Sequence, residues 1–320
     1  MSGSEEKLLK WIGLLSGAPA DVDRLGGAMF AGSAWGRLHA YRSTLNNDGS
    51  PLQVCITYCS SGRHIRIIGD LLSSLDEAGR VLSDVFVLCR SHSLNSIYRH
   101  MLSHTLPVNE QQDHLQGGLF WLAAGLEGGT ALYANTRWGL AADRWNDAVD
   151  WLEFILPDPH PSNRIIQTLR KHAVLASLGL EGRTPADARA KLYWRLLAPT
   201  SFAQMHVPFL DHEAFANFLD LLASQQSVPL SGVVFSVGFS LSNGALCDAK
   251  IDLCAHCLPK PPKLWVQLLD ECCKNHRLHR LDIGEGILSR QCDVAVVGFG
   301  VDSRCDPRLN VYLKAPSTDL

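Results

Sequence analysis

A strand–turn–strand pattern that returns at nearly constant spacing constrains this chain more than any other feature. It is clearest in three segments: SLGLEGRTPADARAKLYWRL (177–196), SVGFSLSNGALCDAKIDLCA (236–255) and VVGFGVDSRCDPRLNVYLKA (296–315). Gly179, Gly238 and Gly298 occupy the same position in the three segments and are 59 and 60 residues apart. Alternating hydrophobic residues flank clusters of Gly, Ser, Asn, Asp and Pro, which is typical of a β-hairpin.

Two further hairpins precede these, PLQVCITYCSSGRHIRIIGD (51–70) and AAGLEGGTALYANTRW (123–138). Between the hairpins lie stretches with apolar residues at the i, i+3, i+4 and i+7 spacing of an amphipathic helix, such as Phe215, Phe218, Leu219 and Leu222. The unit of strand, strand and helix therefore occurs about five times along the chain. A period of this length predicts an array or a closed ring rather than two unrelated domains.

The two faces of the predicted strands differ in character. One face is apolar in the last three hairpins, and we expect helices to cover it. The other face carries cations and tyrosines repeatedly: Arg189, Lys191, Tyr193 and Arg195; then Lys250, Asp252, Cys254 and His256; then Arg308, Asn310, Tyr312 and Lys314. A flat sheet backed by helices would leave this polar face in water. A closed ring removes the sheet edges and turns the same face into a chamber.

We therefore predict an α+β fold with a ten-stranded antiparallel β-barrel, built from five αββα repeats with the helices outside. A ring of ten strands is wider than an eight-stranded barrel filled by its own side chains, so a ligand chamber would remain. Residues 1–320 are expected to form this single barrel domain, with a helical lead-in over about residues 1–48.

Composition excludes several classes of function. The chain is 46% hydrophobic and 19% charged, with a net charge of −3, so it has no basic surplus for nucleic acid. It has no apolar run long enough for a transmembrane helix, and its start, MSGSEEKLLKWIGLL, lacks the basic region of a signal peptide. We expect a cytoplasmic protein that binds neither nucleic acid nor membranes.

The ten cysteines have no framework of paired spacings, and we expect them to be reduced. A zinc site is the alternative for a cluster formed by Cys254, Cys257, Cys272, Cys273 and His276. Cys254 and Cys257 are three residues apart in a predicted strand and so point to opposite faces, which argues against it. No Asp-Asp-x-x-Asp string is present, so Mg²⁺ is not indicated, and we predict no metal site and no obligatory cofactor.

Cations that converge in one chamber repel one another unless an anion lies among them. A diphosphate resolves this conflict and gains charge-assisted hydrogen bonds from Arg, Lys and Tyr. The interleaved tyrosine rings suit a second task, because an aromatic wall stabilises a carbocation and excludes water from it. Together these features indicate the ionisation of an allylic diphosphate.

The repeat with Arg-x-Lys-x-Tyr at 189, 191 and 193 resembles the dimethylallyltryptophan-synthase type of aromatic prenyltransferase, which has the ABBA fold. The resemblance spans about residues 50–316, and the strings RAKLYW, PLQVCITY, RIIGD, ALYANTRW and RLNVYLKAP carry it. It implies diphosphate binding by Arg66, Arg189, Lys191, Tyr193 and Arg308. Lys250 points inward by alternation and is an added candidate for the same ligand set. The resemblance also implies a carbocation shield made of Tyr133, Tyr193 and Tyr312.

Three positions depart from the family pattern. Ala131 stands where a diphosphate-binding Lys is expected, and Asp252 stands where a shield tyrosine is expected. Gln53 replaces a Glu that binds the indole N–H and helps to remove a proton. Gln accepts a hydrogen bond but is no base at neutral pH. Asp252 is therefore the first candidate for the replacement base, and His256 is the second. A salt bridge with Lys250 is the alternative role for Asp252.

The sequence thus predicts a prenyltransferase that moves an allylic group, dimethylallyl or longer, from its diphosphate to an indole or tryptophan-like acceptor. Gln53 and Asp252 are the acceptor-side candidates. A phenol, imidazole or guanidine on a small molecule or modified peptide is the alternative acceptor. Two hypotheses without catalysis also stay open. The chain is a ligand-binding barrel, or it is a non-catalytic partner in a biosynthetic complex that has lost prenyltransferase activity.

Overall fold

A computed structural model describes residues 3–30, 43, 45–70, 75–105, 120–135, 141–210, 213–223 and 226–316. The strands within these ranges form a closed antiparallel barrel in the order β1-β10-β9-β8-β7-β6-β5-β4-β3-β2. They are β1 Leu52–Cys59, β2 Gly62–Asp70, β3 Phe120–Gly125, β4 Thr130–Asn135, β5 Ala173–Gly182, β6 Arg189–Leu196, β7 Val233–Ser240, β8 Leu246–Cys254, β9 Asp293–Asp302 and β10 Pro307–Lys314. Each of the five predicted hairpins supplies one adjacent pair, and the predicted closure is confirmed.

Helices precede the barrel and connect its hairpins. They are α1 Gly3–Ser16, α2 Pro19–Phe30, α3 Leu75–Leu88, α4 Asn95–Thr105, α5 Ala141–Ile155, α6 His160–Leu169, α7 Phe202–Met205, α8 Glu213–Ala223, α9 Pro262–Asn275 and α10 Glu285–Leu288. α1 and α2 lie within the residues predicted as a helical lead-in. None of the helices in the described ranges is long and apolar enough to cross a membrane.

The outer face of the barrel forms the hydrophobic core together with the helices. On β6, Leu192 and Trp194 are fully buried, and on β9 the ring of Phe299 lies 5.7 Å and 5.2 Å from the rings of Phe215 and Phe218 in α8. The residues between these outward-facing ones on each strand point into the barrel. The outer face therefore supplies stability and leaves the inner face to carry polar groups.

Register places the repeated glycines beside the inward side chains. Gly179 pairs with both Tyr133 and Lys191, and Gly238 pairs with Lys191 and Asp248. A Cβ on Gly179 would lie 3.1 Å from both the Tyr133 and the Tyr193 ring, and one on Gly238 would lie 2.7 Å from a carboxylate oxygen of Asp248. The glycines thus give the large inward side chains the room they need.

Candidate active site inside the barrel

The barrel encloses a chamber of about 360 Å³ whose wall includes residues from every strand. One lining residue from each strand, in chain order, is Gln53, Ile68, Trp121, Tyr133, Ser177, Tyr193, Val234, Lys250, Val296 and Tyr312. Six of the predicted site residues therefore line one chamber: Gln53, Tyr133, Tyr193, Lys250, Asp252 and Tyr312. The chamber is partly aromatic and partly polar, as expected from the alternation on the inner face.

Asp248 gathers three of the predicted diphosphate-binding cations. Its carboxylate oxygens lie 3.1 Å from Arg308 Nη2 and 3.5 Å from Lys191 Nζ, and they also contact Arg189 Nη1. Asp248 is fully buried. Burial alone would raise the pKa of this carboxyl, but the three cations hold it well below its ordinary value. Asp248 is therefore ionised and already balances part of the positive charge.

Glu181 joins Arg66 and Arg189 to two tyrosines. Its Oε2 accepts hydrogen bonds from Arg189 Nη2 at 2.8 Å and Nε at 3.1 Å, and its Oε1 lies 3.8 Å from Arg66 Nη1. The hydroxyls of Tyr133 and Tyr193 donate to the same Oε1 at 2.9 Å and 3.3 Å. Burial opposes ionisation of Glu181, but the surrounding cations hold its pKa well below the ordinary value.

Glu181 and Asp248 were not among the residues predicted from the sequence. Both lie on the inner face by simple alternation, because Glu181 follows Gly179 by two residues and Asp248 precedes Lys250 by two. Both lie next to hairpin turns, outside the strand segments whose two faces were compared. Applying the same alternation to every residue of the paired strands, up to the turn, would have revealed them.

The three predicted shield tyrosines all line the chamber. The rings of Tyr133 and Tyr193 meet edge to face with centroids 5.7 Å apart. Burial raises the pKa of Tyr133, Tyr193 and Tyr312 well above the ordinary value, so their hydroxyls remain protonated donors. Lys250 Nζ lies 5.8 Å from the ring centroid of Tyr193 and 5.2 Å from that of Tyr312, so a cation already sits over these rings.

Asp252 forms the salt bridge that was its alternative role. Its Oδ2 lies 2.7 Å from Lys250 Nζ, which also donates to the Tyr312 hydroxyl at 2.9 Å. Its Oδ1 is buried and accepts no hydrogen bond from the described residues. Asp252 also lines the chamber, while its Oδ1 is directed towards Gly298, where an added Cβ would lie 2.0 Å from it.

Gln53 is fixed by hydrogen bonds that its side-chain NH₂ donates. The Asn46 side-chain NH₂ donates to the backbone oxygens of Ser50 and Leu52, so Asn46 offers only its Oδ1 to Gln53. Gln53 Nε2 donates to that oxygen at 2.6 Å. This fixes the amide orientation from the network and leaves Gln53 Oε1 as a hydrogen-bond acceptor on a chamber-lining residue.

One sequence-based expectation needs revision. β8 ends at Cys254, and His256 lies in a short 3₁₀ turn with its side chain exposed, so the prediction that it faces the chamber is wrong. At the position where the family pattern has a Lys, Ala131 forms a small apolar cluster inside the barrel together with Cys55, Ile68 and Ala123. Within the described ranges, no group of three or more His, Cys, Asp or Glu side chains is placed to hold a metal ion.

A second cavity, of about 230 Å³, lies at the hairpin-turn end of the barrel. Arg66, Glu181 and Arg189 border it together with the glycine-rich turns at 128–129 and 182. The cluster of cations and carboxylates therefore lies between this cavity and the aromatic chamber. A ligand with an anionic part and an apolar part would place the anionic part at this cluster and the apolar part in the aromatic chamber.

No protein-family model matches the sequence, and comparison with curated protein sequences finds no match. Solved structures, however, share the fold over nearly the whole chain. One is the 6-dimethylallyltryptophan synthase from Micromonospora olivasterospora, in complex with DMASPP and Trp, with a TM-score of 0.76 and 14% identity over 98% of this chain and 97% of that one.

Two further structures give the same result. The 5-dimethylallyl tryptophan synthase from Streptomyces coelicolor, also in complex with DMASPP and Trp, has a TM-score of 0.74 and 17% identity over 98% of this chain and 96% of that one. AnaPT from Neosartorya fischeri has a TM-score of 0.74 and 13% identity over 98% and 95% of the two chains. The resemblance inferred from the sequence is therefore confirmed at the level of the fold.

Proposed function

We propose that this chain, which has the ABBA barrel fold of the aromatic prenyltransferases, transfers an allylic group from its diphosphate to an electron-rich aromatic acceptor. The observation that carries the proposal is a cluster of Arg and Lys side chains that adjoins a chamber lined by three tyrosine rings. An allylic diphosphate needs both groups, cations for its leaving group and aromatic rings for its carbon chain. The fold shared with dimethylallyltryptophan synthases supports the same reaction class.

The diphosphate would bind at the cluster of cations between the two cavities. The proposed ligands are Arg66, Arg189, Lys191, Tyr193, Lys250 and Arg308. Glu181 and Asp248 already compensate part of this charge, so the diphosphate would share the guanidinium and ammonium donors with them. Each guanidinium has five N–H donors, which allows one arginine to serve a carboxylate and a phosphate together.

The reaction would be an electrophilic alkylation. The C–O bond of the donor breaks, and the diphosphate leaves with the electron pair while the cations neutralise its growing charge. The rings of Tyr133, Tyr193 and Tyr312 stabilise the allyl cation and keep water away from it. A carbon or heteroatom of the acceptor then forms the new bond, and the acceptor loses one proton.

Two chamber residues support the acceptor half of the proposal. Gln53 Oε1 would accept a hydrogen bond from an indole N–H or a phenol O–H. The Asp252 carboxylate would receive the departing proton, and Lys250 stabilises this carboxylate through Oδ2. The dimethylallyl group is the proposed donor chain, and tryptophan or another indole is the first acceptor to test.

A barrel that binds the diphosphate without turnover is the second candidate. The observation that favours it is the pairing of the donor-site cations with Glu181 and Asp248, which lowers the net charge available to a diphosphate. The two candidates differ in one respect only. A catalyst consumes the diphosphate and alkylates an acceptor, whereas a binding protein does neither.

The test is turnover with purified chain, dimethylallyl diphosphate and separate acceptors: L-tryptophan, a simple indole, a phenol, an imidazole and a guanidine. Mass spectrometry should detect an acceptor that has gained one C5H8 unit, and Lys191→Ala should reduce its rate of formation. Binding of the donor without a product from any acceptor class would favour the second candidate. Absence of both binding and product would reject both.

A further inference from the structure

Glu181 contacts the tyrosine hydroxyls from behind. It borders the second cavity, whereas the rings of Tyr133 and Tyr193 line the chamber. Both hydroxyls donate to the same oxygen, Oε1, and the other oxygen is held by two N–H groups of Arg189. Glu181 is only 6% exposed, so these contacts are shielded from water. One carboxylate thus fixes two of the three shield tyrosines.

Hydrogen bonds of this kind fix the orientation of the rings and also change their electron density. A hydroxyl that donates to a carboxylate carries more negative charge on its oxygen, and part of that charge is shared with the ring. The face of such a ring attracts a cation more strongly. The edge-to-face contact between Tyr133 and Tyr193, with centroids 5.7 Å apart, keeps the two rings in one fixed arrangement.

We infer that Glu181 is a positioning residue of the alkyl transfer, which holds Tyr133 and Tyr193 through their hydroxyls and enriches both rings for contact with the allyl cation. The inference rests on the proposed function, since it assigns the rings to a carbocation. Glu181 does not line the aromatic chamber in which the prenyl chain and the acceptor would lie. Its influence passes through the two tyrosines.

The same carboxylate opposes donor binding. Glu181 is an anion within the cluster of cations that would hold the diphosphate, so its charge weakens the attraction for that ligand. Loss of the Glu181 charge should therefore have opposite effects on two steps. It should help the donor to bind and hinder the formation of the cation, and a merely structural role predicts no such opposition.

Asp248 provides a matched control within the same cluster. Like Glu181 it is a buried carboxylate paired with Arg189, but its other contacts are Lys191 and Arg308. Among the described residues, Asp248 makes no hydrogen bond with either tyrosine. Asp248→Asn and Glu181→Gln thus remove one negative charge each, and only the second change affects the hydroxyl acceptor.

The experiment compares wild type with Glu181→Gln, Glu181→Asp and Asp248→Asn, after circular dichroism has verified folding. For Glu181→Gln, kcat should fall by about tenfold or more, the size of one or two cation–π contacts. Its Kd for dimethylallyl S-thiolodiphosphate should be equal to or tighter than that of wild type. Glu181→Asp keeps the charge but is shorter, so its kcat should fall without any tightening of the Kd.

Two readouts do not depend on turnover. The ¹³Cζ resonances of Tyr133 and Tyr193, in protein labelled at tyrosine, should shift in Glu181→Gln and stay near wild type in Asp248→Asn. A dimethylallyl ammonium ion with inorganic diphosphate, which mimics the ion pair, should bind Glu181→Gln more weakly than Asp248→Asn.

The outcomes separate the inference from the proposed function. An unchanged kcat in Glu181→Gln, or a kcat and a Kd that worsen together, overturns the inference while wild-type turnover upholds the proposed function. If wild type shows no turnover, the proposed function fails, and the ammonium and resonance measurements still decide the role of Glu181. Equal ammonium affinities in Glu181→Gln and Asp248→Asn, with unshifted resonances, would overturn it.

Discussion

Gln53 is the residue at which the chain departs most clearly from the indole-prenyltransferase pattern. Gln53→Glu would place a carboxylate where that pattern has one, although Asn46 must then turn its NH₂ towards it. We expect turnover of an indole acceptor to rise by about tenfold or more, since a positioned base typically contributes at least that factor. The measurement is the initial rate of product formation by mass spectrometry.

Gln53→Leu is the matched control, because it removes the hydrogen-bond acceptor and keeps the volume. Turnover of an indole should fall in this variant. If Gln53→Glu is no faster than wild type with any acceptor and Gln53→Leu is no slower, the acceptor does not lie against residue 53.

Lys191 should make donor binding depend on pH. Burial lowers its pKa to about 8, because the carboxylates of Asp248 and Glu181 offset only part of the desolvation cost, and Arg189 and Lys250 lower it further. Below pH 8 the ammonium is charged, and above it the diphosphate loses this partner. The Kd for dimethylallyl S-thiolodiphosphate should therefore rise by up to about tenfold per pH unit above pH 8.

Calorimetry between pH 6.5 and about 9.5 measures this dependence, and Lys191→Arg should flatten it because arginine keeps its charge. Unfolding of the protein at high pH would not explain a rise in the Kd. In the unfolded chain Lys191 keeps its proton to higher pH, so its contribution to the free energy of unfolding increases above pH 8. An equally steep dependence in Lys191→Arg would assign the titration to another group.

At the scale of the hairpin, the repeated glycines are as informative as the charged residues. Gly298 pairs with Asp252 across β8 and β9, and a Cβ there would lie 2.0 Å from Asp252 Oδ1. Gly298→Ala should destabilise the barrel by about 1–3 kcal/mol, as overpacking does, and displace Asp252 from Lys250. Urea denaturation measures the change.

Gly286→Ala in α10 is the control, since a Cβ at that position meets no atom of the described residues within 4 Å. Its free energy of unfolding should match or exceed that of wild type, because alanine favours a helix. Equal stability of Gly298→Ala and wild type would show that Asp252 has room to move aside.

The hairpins were predictable because their pattern is local: alternation, turn residues and spacing are all readable along the chain. The positions of Arg189, Lys191 and Tyr193 on one face follow from the period of the strand alone. The end of β8 was not predictable in this way, since alternation continues through His256 while the chain turns into a 3₁₀ helix at Ala255. Tertiary packing decides where a strand stops.

At the scale of the whole molecule, closure of the ring explains how distant residues form one site. Gln53 in the first strand and Tyr312 in the last line the same chamber, because β1 pairs with β10. The sequence indicated this closure through repetition and through the need to remove sheet edges. It did not indicate the charge balance, which depends on Glu181 and Asp248 meeting cations from other strands.

The barrel also separates two chemical environments along its axis. Paired cations and carboxylates lie towards the hairpin turns, and the aromatic chamber lies beyond them. A ligand with an anionic head and an apolar tail matches this division. The central claim is that the ligand is an allylic diphosphate.

Calorimetric titration with dimethylallyl S-thiolodiphosphate, with and without Mg²⁺, tests this claim most directly, with Lys191→Ala beside wild type. We predict saturable binding to wild type that weakens by about tenfold or more in the variant, since a charge-assisted contact is lost. No binding of this analogue or of its geranyl counterpart would contradict the account. Binding of equal strength in Lys191→Ala would contradict the assigned position of the diphosphate.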